Sequence, residues 1–246
     1  MKNEFFNGIK AYLAVFGILI ILGFNSCYKH RDCINGSGLM VEEDRQVSSF
    51  DFIKALGSYR IFVRKDAVQS LKLVGDESIL PRIETRVEGN TLIIEPERGY
   101  SIYEKIEVHV SMPSIRGFFL PGASHVTGLE AFETDSLFLK IAGAGKIEME
   151  VSANSIESVV AGAGVISLRG SAESHTVSLS GVGKLEAEDL KVKHYEIKVA
   201  GSGSCRIYVE ETLRAVITGS GIIYYRGEPS IINTTITGVG KVVKID

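Results

Sequence analysis

The chain lacks tryptophan and holds only 5 prolines and 3 cysteines among its 246 residues. So little proline excludes a polyproline or collagen-like rod, and so little cysteine excludes a disulfide-built scaffold. The formal net charge is −3, which leaves no basic footprint for nucleic acid. Past residue 24 no apolar run is long enough to cross a bilayer, and no segment keeps the three-or-four spacing of an amphipathic helix. What the chain has in quantity is glycine, 26 residues of it.

In the second half the glycines are periodic. A Gly-x-Gly tripeptide recurs about every 19 residues. Its first glycines are Gly143, Gly162, Gly181, Gly201, Gly219 and Gly238, and its second are Gly145, Gly164, Gly183, Gly203, Gly221 and Gly240. Two residues before each first glycine stand Ile141, Val160, Leu179, Val199, Ile217 and Ile236. Four residues after each first glycine stand Ile147, Ile166, Leu185, Cys205, Ile223 and Val242. Two further on come Met149, Leu168, Ala187, Ile207, Tyr225 and Lys244, apolar until the last repeat. Apolar residues at even offsets on both sides describe a strand with one buried face, not a helix. A strand, a glycine corner and a second strand make one turn of a β-solenoid, in which each coil is stable only when stacked on its neighbours. The invariant second glycine implies positive φ or a close backbone approach at the corner.

The N-terminus reads as a processing segment. Lys2 and Lys10 precede the apolar run 11–24, which is shorter than the about 20 residues a membrane span needs. Phe24-Asn25-Ser26-Cys27 resembles a loose bacterial lipobox, departing from it at Phe24 and Asn25. Cys27 is thus the expected lipidation site, with an ordinary cleaved signal or an uncleaved anchor as the alternatives. The division that follows is a lipoprotein signal peptide at 1–26, a flexible tether at 27–44 carrying Gly36-Ser37-Gly38, and one solenoid domain at 45–246. Within that domain 45–117 reads as irregular coils with hairpin excursions and 118–246 as regular coils. Ile53 to Val63 keeps the repeat register around Gly57, with Tyr59 in place of the second glycine. Leu71, Leu73, Gly75 and Ile79 repeat that spacing, as do Phe118, Leu120, Gly122 and Val126. Apolar stretches at 83–87 and 92–94, joined by Glu88-Gly89-Asn90, predict a hairpin.

Candidate chemistry is sparse. Gly143-Ala144-Gly145-Lys146 has the letters of a phosphate loop, but strands rather than a helix follow it. Glycan cleavage needs convergent carboxylates, whereas Glu148 and Glu186 should stand two coils apart, about 10 Å. His109, His125, His175 and His194 share no ligand spacing, so neither metal nor cofactor is expected. Cys205 falls in an inward column and reads as a small buried hydrophobe rather than the partner of Cys33. Tyr208, Tyr224 and Tyr225 cluster near the C-terminus, Tyr225 inward and Tyr224 outward. Lys241 and Lys244 on the last coil read as charged residues guarding an exposed edge.

Several stretches together resemble one family. Phe50-Asp51-Phe52-Ile53 leading to Gly57, Leu71 through Ile83, Gly89-Asn90-Thr91-Leu92-Ile93-Ile94, and Ser111-Met112-Pro113-Ser114 before the serial Gly-x-Gly coils are similar to the putative auto-transporter adhesin, head GIN domain family. The resemblance implies an all-β, right-handed single-stranded β-helix, pectate-lyase-like in appearance. It also implies a bacterial cell-envelope location and a role in adhesion, and it carries no catalytic residue. The expected function is therefore a non-catalytic, lipid-anchored envelope scaffold or adhesin, on either the periplasmic or the surface face of the outer membrane. Its partners would be the membrane through the lipid, and a glycan or an envelope protein. A glycan-binding or glycan-cleaving β-helix is the second reading.

Overall fold

The computed structural model describes residues 32–33, 36–98, 100–101 and 105–246. The expected signal peptide and Cys27 lie outside these. Among the described residues the one helical feature is a 3-10 turn at Leu80–Arg82. A small parallel pair, β1 (Asp32–Cys33) with β8 (Tyr100–Ser101), stands apart. All other strands form a single continuous sheet.

The regular part is built from β12 (Phe132–Ile141), β13 (Lys146–Gly162), β14 (Val165–Gly181), β15 (Lys184–Gly201) and β16 (Ser204–Gly219), each parallel to the one before. The last rungs are β17 (Ile222–Arg226), β18 (Ile231–Gly238) and β19 (Lys241–Lys244). The register superposes like on like: Ile147 pairs with Ile166, Ile166 with Leu185, Leu185 with Cys205, and Cys205 with Ile223. The chain is a β-solenoid with coils of about 19 residues. Its inward columns are buried as the alternation requires, from Ile141 to Ile217 before the corners and from Ile147 to Ile223 after them. Each such aliphatic side chain contributes roughly 1.5–3 kcal/mol by leaving water.

The two glycines of each corner solve different problems. Both carry ladder acceptors, the Ser202 amide donating to the Gly181 carbonyl at 2.9 Å and the Ser204 amide to the Gly183 carbonyl at 3.1 Å, but only first glycines, from Gly181 on, take a positive φ. At Gly201 the backbone turns through φ +121°, and a Cβ there would lie 2.6 Å from the Gly181 oxygen.

For the second glycines, one of the two expected causes is corrected. None of Gly145, Gly164, Gly183, Gly203, Gly221 and Gly240 has positive φ. Close approach is what excludes a side chain at these positions. A Cβ on Gly164 would strike Ile141 Cγ2, on Gly183 Val160 Cγ1, on Gly221 Val199 Cγ1 and on Gly240 Ile217 Cγ2, each on the preceding coil. At Gly145 and Gly203 it would instead lie 2.8 Å from a carbonyl oxygen, that of Ser124 and of Gly183 respectively.

The front half departs from a simple succession of coils. β3 (Phe52–Ala55) and β4 (Tyr59–Lys65) form a true rung, and β10 (Gly117–Leu120) with β11 (His125–Gly128) stacks on it in parallel register. Between them the chain turns back underneath. β7 (Thr91–Pro96) and β9 (Ile106–Met112) lie parallel below β3 and β4, so the rung order in space differs from that in sequence. The hairpin expected at Gly89 is present: β6 (Ile83–Glu88) pairs antiparallel with β7, and Gly89 has φ +59°. A second expectation is corrected here. Leu71 and Leu73 lie on β5 (Ser70–Asp76), which runs antiparallel to β9 rather than as a coil of the stack. Alternation marks the buried face of a strand but not its direction, so the same spacing serves both. The tether also ends earlier than expected, because β2 (Met40–Arg45) pairs antiparallel with β5.

The two ends of the stack are unlike. At the front, Ile79, Leu80 and Ile83 join the core, and Leu80 packs with Ile106 over Gly75. At the back, β18 is exposed along its whole length, leaving Ile232 and Ile236 44% and 42% accessible.

Candidate functional site: an aromatic groove across the rungs

Outward positions on the strands before the corners form columns along the stack. One column reads Thr91, Phe52, Gly117, Phe138, Glu157 and Thr176 through successive pairings. Phe52 and Phe138 stand two rungs apart, yet their ring centroids are 6.2 Å apart with planes inclined at 30°. Gly117 makes this possible. A Cβ there would meet the Phe138 carbonyl and lie 2.6 Å from Phe52 Cε2, so both rings lean over bare backbone.

The rings are only half-buried and sit in a groove of about 510 Å³. Polar groups line its rim. On one side Arg116 Nη1 lies 3.9 Å from Asp51 Oδ2, and Asn90 Nδ2 lies 3.5 Å from that same oxygen. On the other stand Glu157 and the ladder of Ser136, Ser155 and Ser174, which pair across rungs. Beside the groove Phe119, also facing outward, lies under two ammonium groups, with Lys54 Nζ 5.8 Å and Lys140 Nζ 5.1 Å from its centroid. The backbone beneath is cross-tied: Arg116 N–H donates to Asp51 O at 2.7 Å, and Phe138 N–H to Arg116 O at 2.8 Å. Side chains set on paired strands need little ordering to bind.

The repeat did not point to this place. Phe119 and Phe138 are each flanked by apolar neighbours that face inward, and an apolar residue at an outward offset was the available signal. None of the corner glycines from Gly143 to Gly240 lines the groove, and the atoms that a Cβ on them would meet belong to the preceding coil. Tyr224 faces outward as expected, with the Arg206 guanidinium 4.9 Å from its ring. Tyr225 packs partly buried against the core.

The carboxylates weighed for catalysis, Glu148 and Glu186, line one open groove with Glu188, Asp189, Arg169 and Arg206, yet they stand two rungs apart on the ladder. Glu148 is held by Lys146 at 2.6 Å and His125 at 2.5 Å. The Lys146 hydrogen bond foremost, with His125 assisting, keeps its carboxyl below the usual range. Ser167 intervenes on the next rung and donates to Glu186 at 2.9 Å. The nearest thing to a nucleophile and base, Ser158 and His175, is sealed inside the shaft. Burial lowers the His175 pKa to about 3. Cys205 is free and buried, its thiol pushed up to about 12 by burial.

No curated protein matches the chain. Several solved structures do. A putative adhesin from Bacteroides fragilis is 24% identical, with TM-score 0.82 over 86% of this chain and 100% of that one. A putative lipid binding protein from Parabacteroides distasonis is 22% identical, with TM-score 0.74 over 87% of this chain and 100% of that one. A putative adhesin from Parabacteroides merdae is 19% identical, with TM-score 0.66 over 87% and 100%. At these identities the likeness shows the fold alone. The family pattern covers residues 49–229, from just before the strand that carries Phe52 to just before β18, and the chain therefore belongs to the putative auto-transporter adhesin, head GIN domain family.

Proposed function

We infer that the chain is a non-catalytic binding module of the bacterial cell envelope, held to the membrane by a lipid on Cys27. Membership of an adhesin head-domain family supports a binding role and an envelope or surface location. The observation that carries the reading is the groove around Phe52 and Phe138. It is an aromatic surface set on rigid rungs and rimmed with hydrogen-bonding groups, and exposed apolar patches of that kind mark binding sites. A catalytic reading finds less support. The outward carboxylate best placed for it, Glu148, is engaged by Lys146 and His125, and the buried Ser158–His175 pair has no path to a substrate.

Two experiments test this. A fatty-acid analogue should label the protein in cells and fail to label Cys27→Ala; equal labelling of both would refute the anchor. Protease shaving of intact cells should remove the domain if it is displayed outward. Full protection would place it on the periplasmic side and rule out contact with other cells.

A further inference from the structure

We propose that the groove over Phe52 and Phe138 binds an uncharged oligosaccharide laid along the stack, across the rungs. The proposal rests on the reading of the solenoid as a binding surface and names its ligand.

Geometry comes first. The column from Thr91 to Thr176 crosses five ladder steps, roughly 24 Å at the spacing of neighbouring strands. The groove is therefore long in the direction in which rungs repeat, and a pyranose ring is about as wide as one rung. The flat faces of such rings carry C–H groups and stack on aromatic rings, while their edges carry hydroxyls. Phe52 and Phe138 supply the platform, closed over Gly117 into one surface. Asp51, Asn90, Arg116 and Glu157 supply planar carboxylate, amide and guanidinium groups, which can engage adjacent hydroxyls two at a time.

Charge narrows the class. The rim sets two carboxylates, Asp51 and Glu157, against one guanidinium, Arg116, which disfavours uronic or sialic acids. Lys54 and Lys140 are turned onto Phe119 rather than into the groove. An extended peptide fits less well, because strand addition requires an unpaired sheet edge. Here the rungs carrying Phe52, Gly117 and Phe138 are paired on both sides. A lipid tail fits less well too, since the groove is open and its rim is ionic and hydroxylated.

The test uses the full chain held in amphipol without free detergent, titrated with hexasaccharides of β-1,4-linked glucose, of N-acetylglucosamine and of mannose, followed by calorimetry. A hexagalacturonate and phosphatidylcholine vesicles serve as the acidic and lipid arms. At least one neutral hexasaccharide should bind with Kd in the range of about 10 μM to 1 mM, and its trisaccharide at least about 10-fold more weakly. Phe138→Ala and Arg116→Ala should each weaken binding about 10-fold or more, whereas Tyr224→Ala, near the open end, should not. Arg116 is exposed, so its variant should melt as the parent does and separates lost contacts from lost fold. Absence of binding by every neutral hexasaccharide overturns the proposal, as does tighter binding of the acidic sugar or of vesicles, or binding that survives both variants. If sugars fail while shaving still finds the domain on the cell surface, the ligand class is wrong and the envelope-binding reading stands.

Discussion

The Ser158 hydroxyl and His175 Nε2 lie 2.8 Å apart inside the shaft of the solenoid, both fully buried. Tyr195 completes the seam, its hydroxyl 3.4 Å from His175 Nδ1 and its ring tilted against the imidazole at 5.2 Å. A neutral imidazole offers one donor and one acceptor, and two hydroxyls satisfy both. An imidazolium in the same place would be a buried charge without a counter-ion.

That arrangement has a sign in pH. Burial depresses the folded pKa of His175 to about 3 from its ordinary value of 6.5. Its contribution is complete above pH 6.5 and is lost as pH falls through the interval between those values. With one proton taken up on unfolding, stability should drop by up to about 1.4 kcal/mol per pH unit. Thermal melts between about pH 6.5 and 5, above most carboxylate titration, should show the slope, and His175→Phe should flatten it. An unchanged slope in the variant would show that the imidazole does not titrate on unfolding.

Glycine corners make a graded prediction. Gly201→Ala meets both a left-handed φ of +121° and a carbonyl 2.6 Å from the new Cβ, and should cost about 3 kcal/mol or more. Gly38 has φ +89° but nothing within 4 Å of a Cβ, so Gly38→Ala should cost only about 1 kcal/mol. Gly183→Val, directed into Val160, should lower the melting temperature of the whole array. Equal denaturation midpoints for Gly201→Ala and Gly38→Ala would contradict the stacking geometry.

Position in the stack should matter as much as residue type. Ile217 and Ile236 occupy the same column on adjacent rungs, yet Ile217 is fully buried and Ile236 is 42% exposed. Ile217→Ala should cost about 2–5 kcal/mol and Ile236→Ala under about 1 kcal/mol. Urea midpoints of the two variants give the comparison directly.

The regular coils were legible because their signal is local: alternation around a glycine pair, repeated with little change in step. Why the second glycine is invariant was only half legible, since a clash such as that of Gly221 with Val199 appears once the coils are stacked. Rung order at the front was not legible. Leu71 and Leu73 alternate like coil residues, and only partners distant in sequence decide that β5 runs antiparallel. The groove was hidden for a related reason. Phe52 and Phe138 meet through Gly117, and no constant repeat connects positions 52, 117 and 138. The polar seam went unread for another reason: Ser158 and His175 stand at even, inward offsets before Gly162 and Gly181, but their polarity masks the column, and their contact appears only when the coils are stacked.

Asp76 fastens the segment before β2. Its carboxylate accepts from the Gly38 amide at 2.6 Å and from the Ser78 hydroxyl at 2.6 Å. The Ser78 hydroxyl chiefly, with backbone amides, holds its pKa well below the usual carboxylate range. Asp76→Ala should expose residues 36–45 to limited proteolysis while leaving the melting of the coils nearly intact. Resistance equal to the parent would mean that β2 is secured by its ladder alone.

The parallel register of consecutive coils underlies both the shaft and the groove, and a pair of engineered cysteines measures it most directly. Ser178 and Lys198 are exposed partners on β14 and β15, within reach of a disulfide. Under mild oxidation Ser178→Cys/Lys198→Cys should close rapidly, and peptide mapping should show that linkage. Ser178→Cys/Glu196→Cys, displaced by two residues, should remain reduced. Closure of the displaced pair in preference to the matched one would contradict the stack and everything placed upon it.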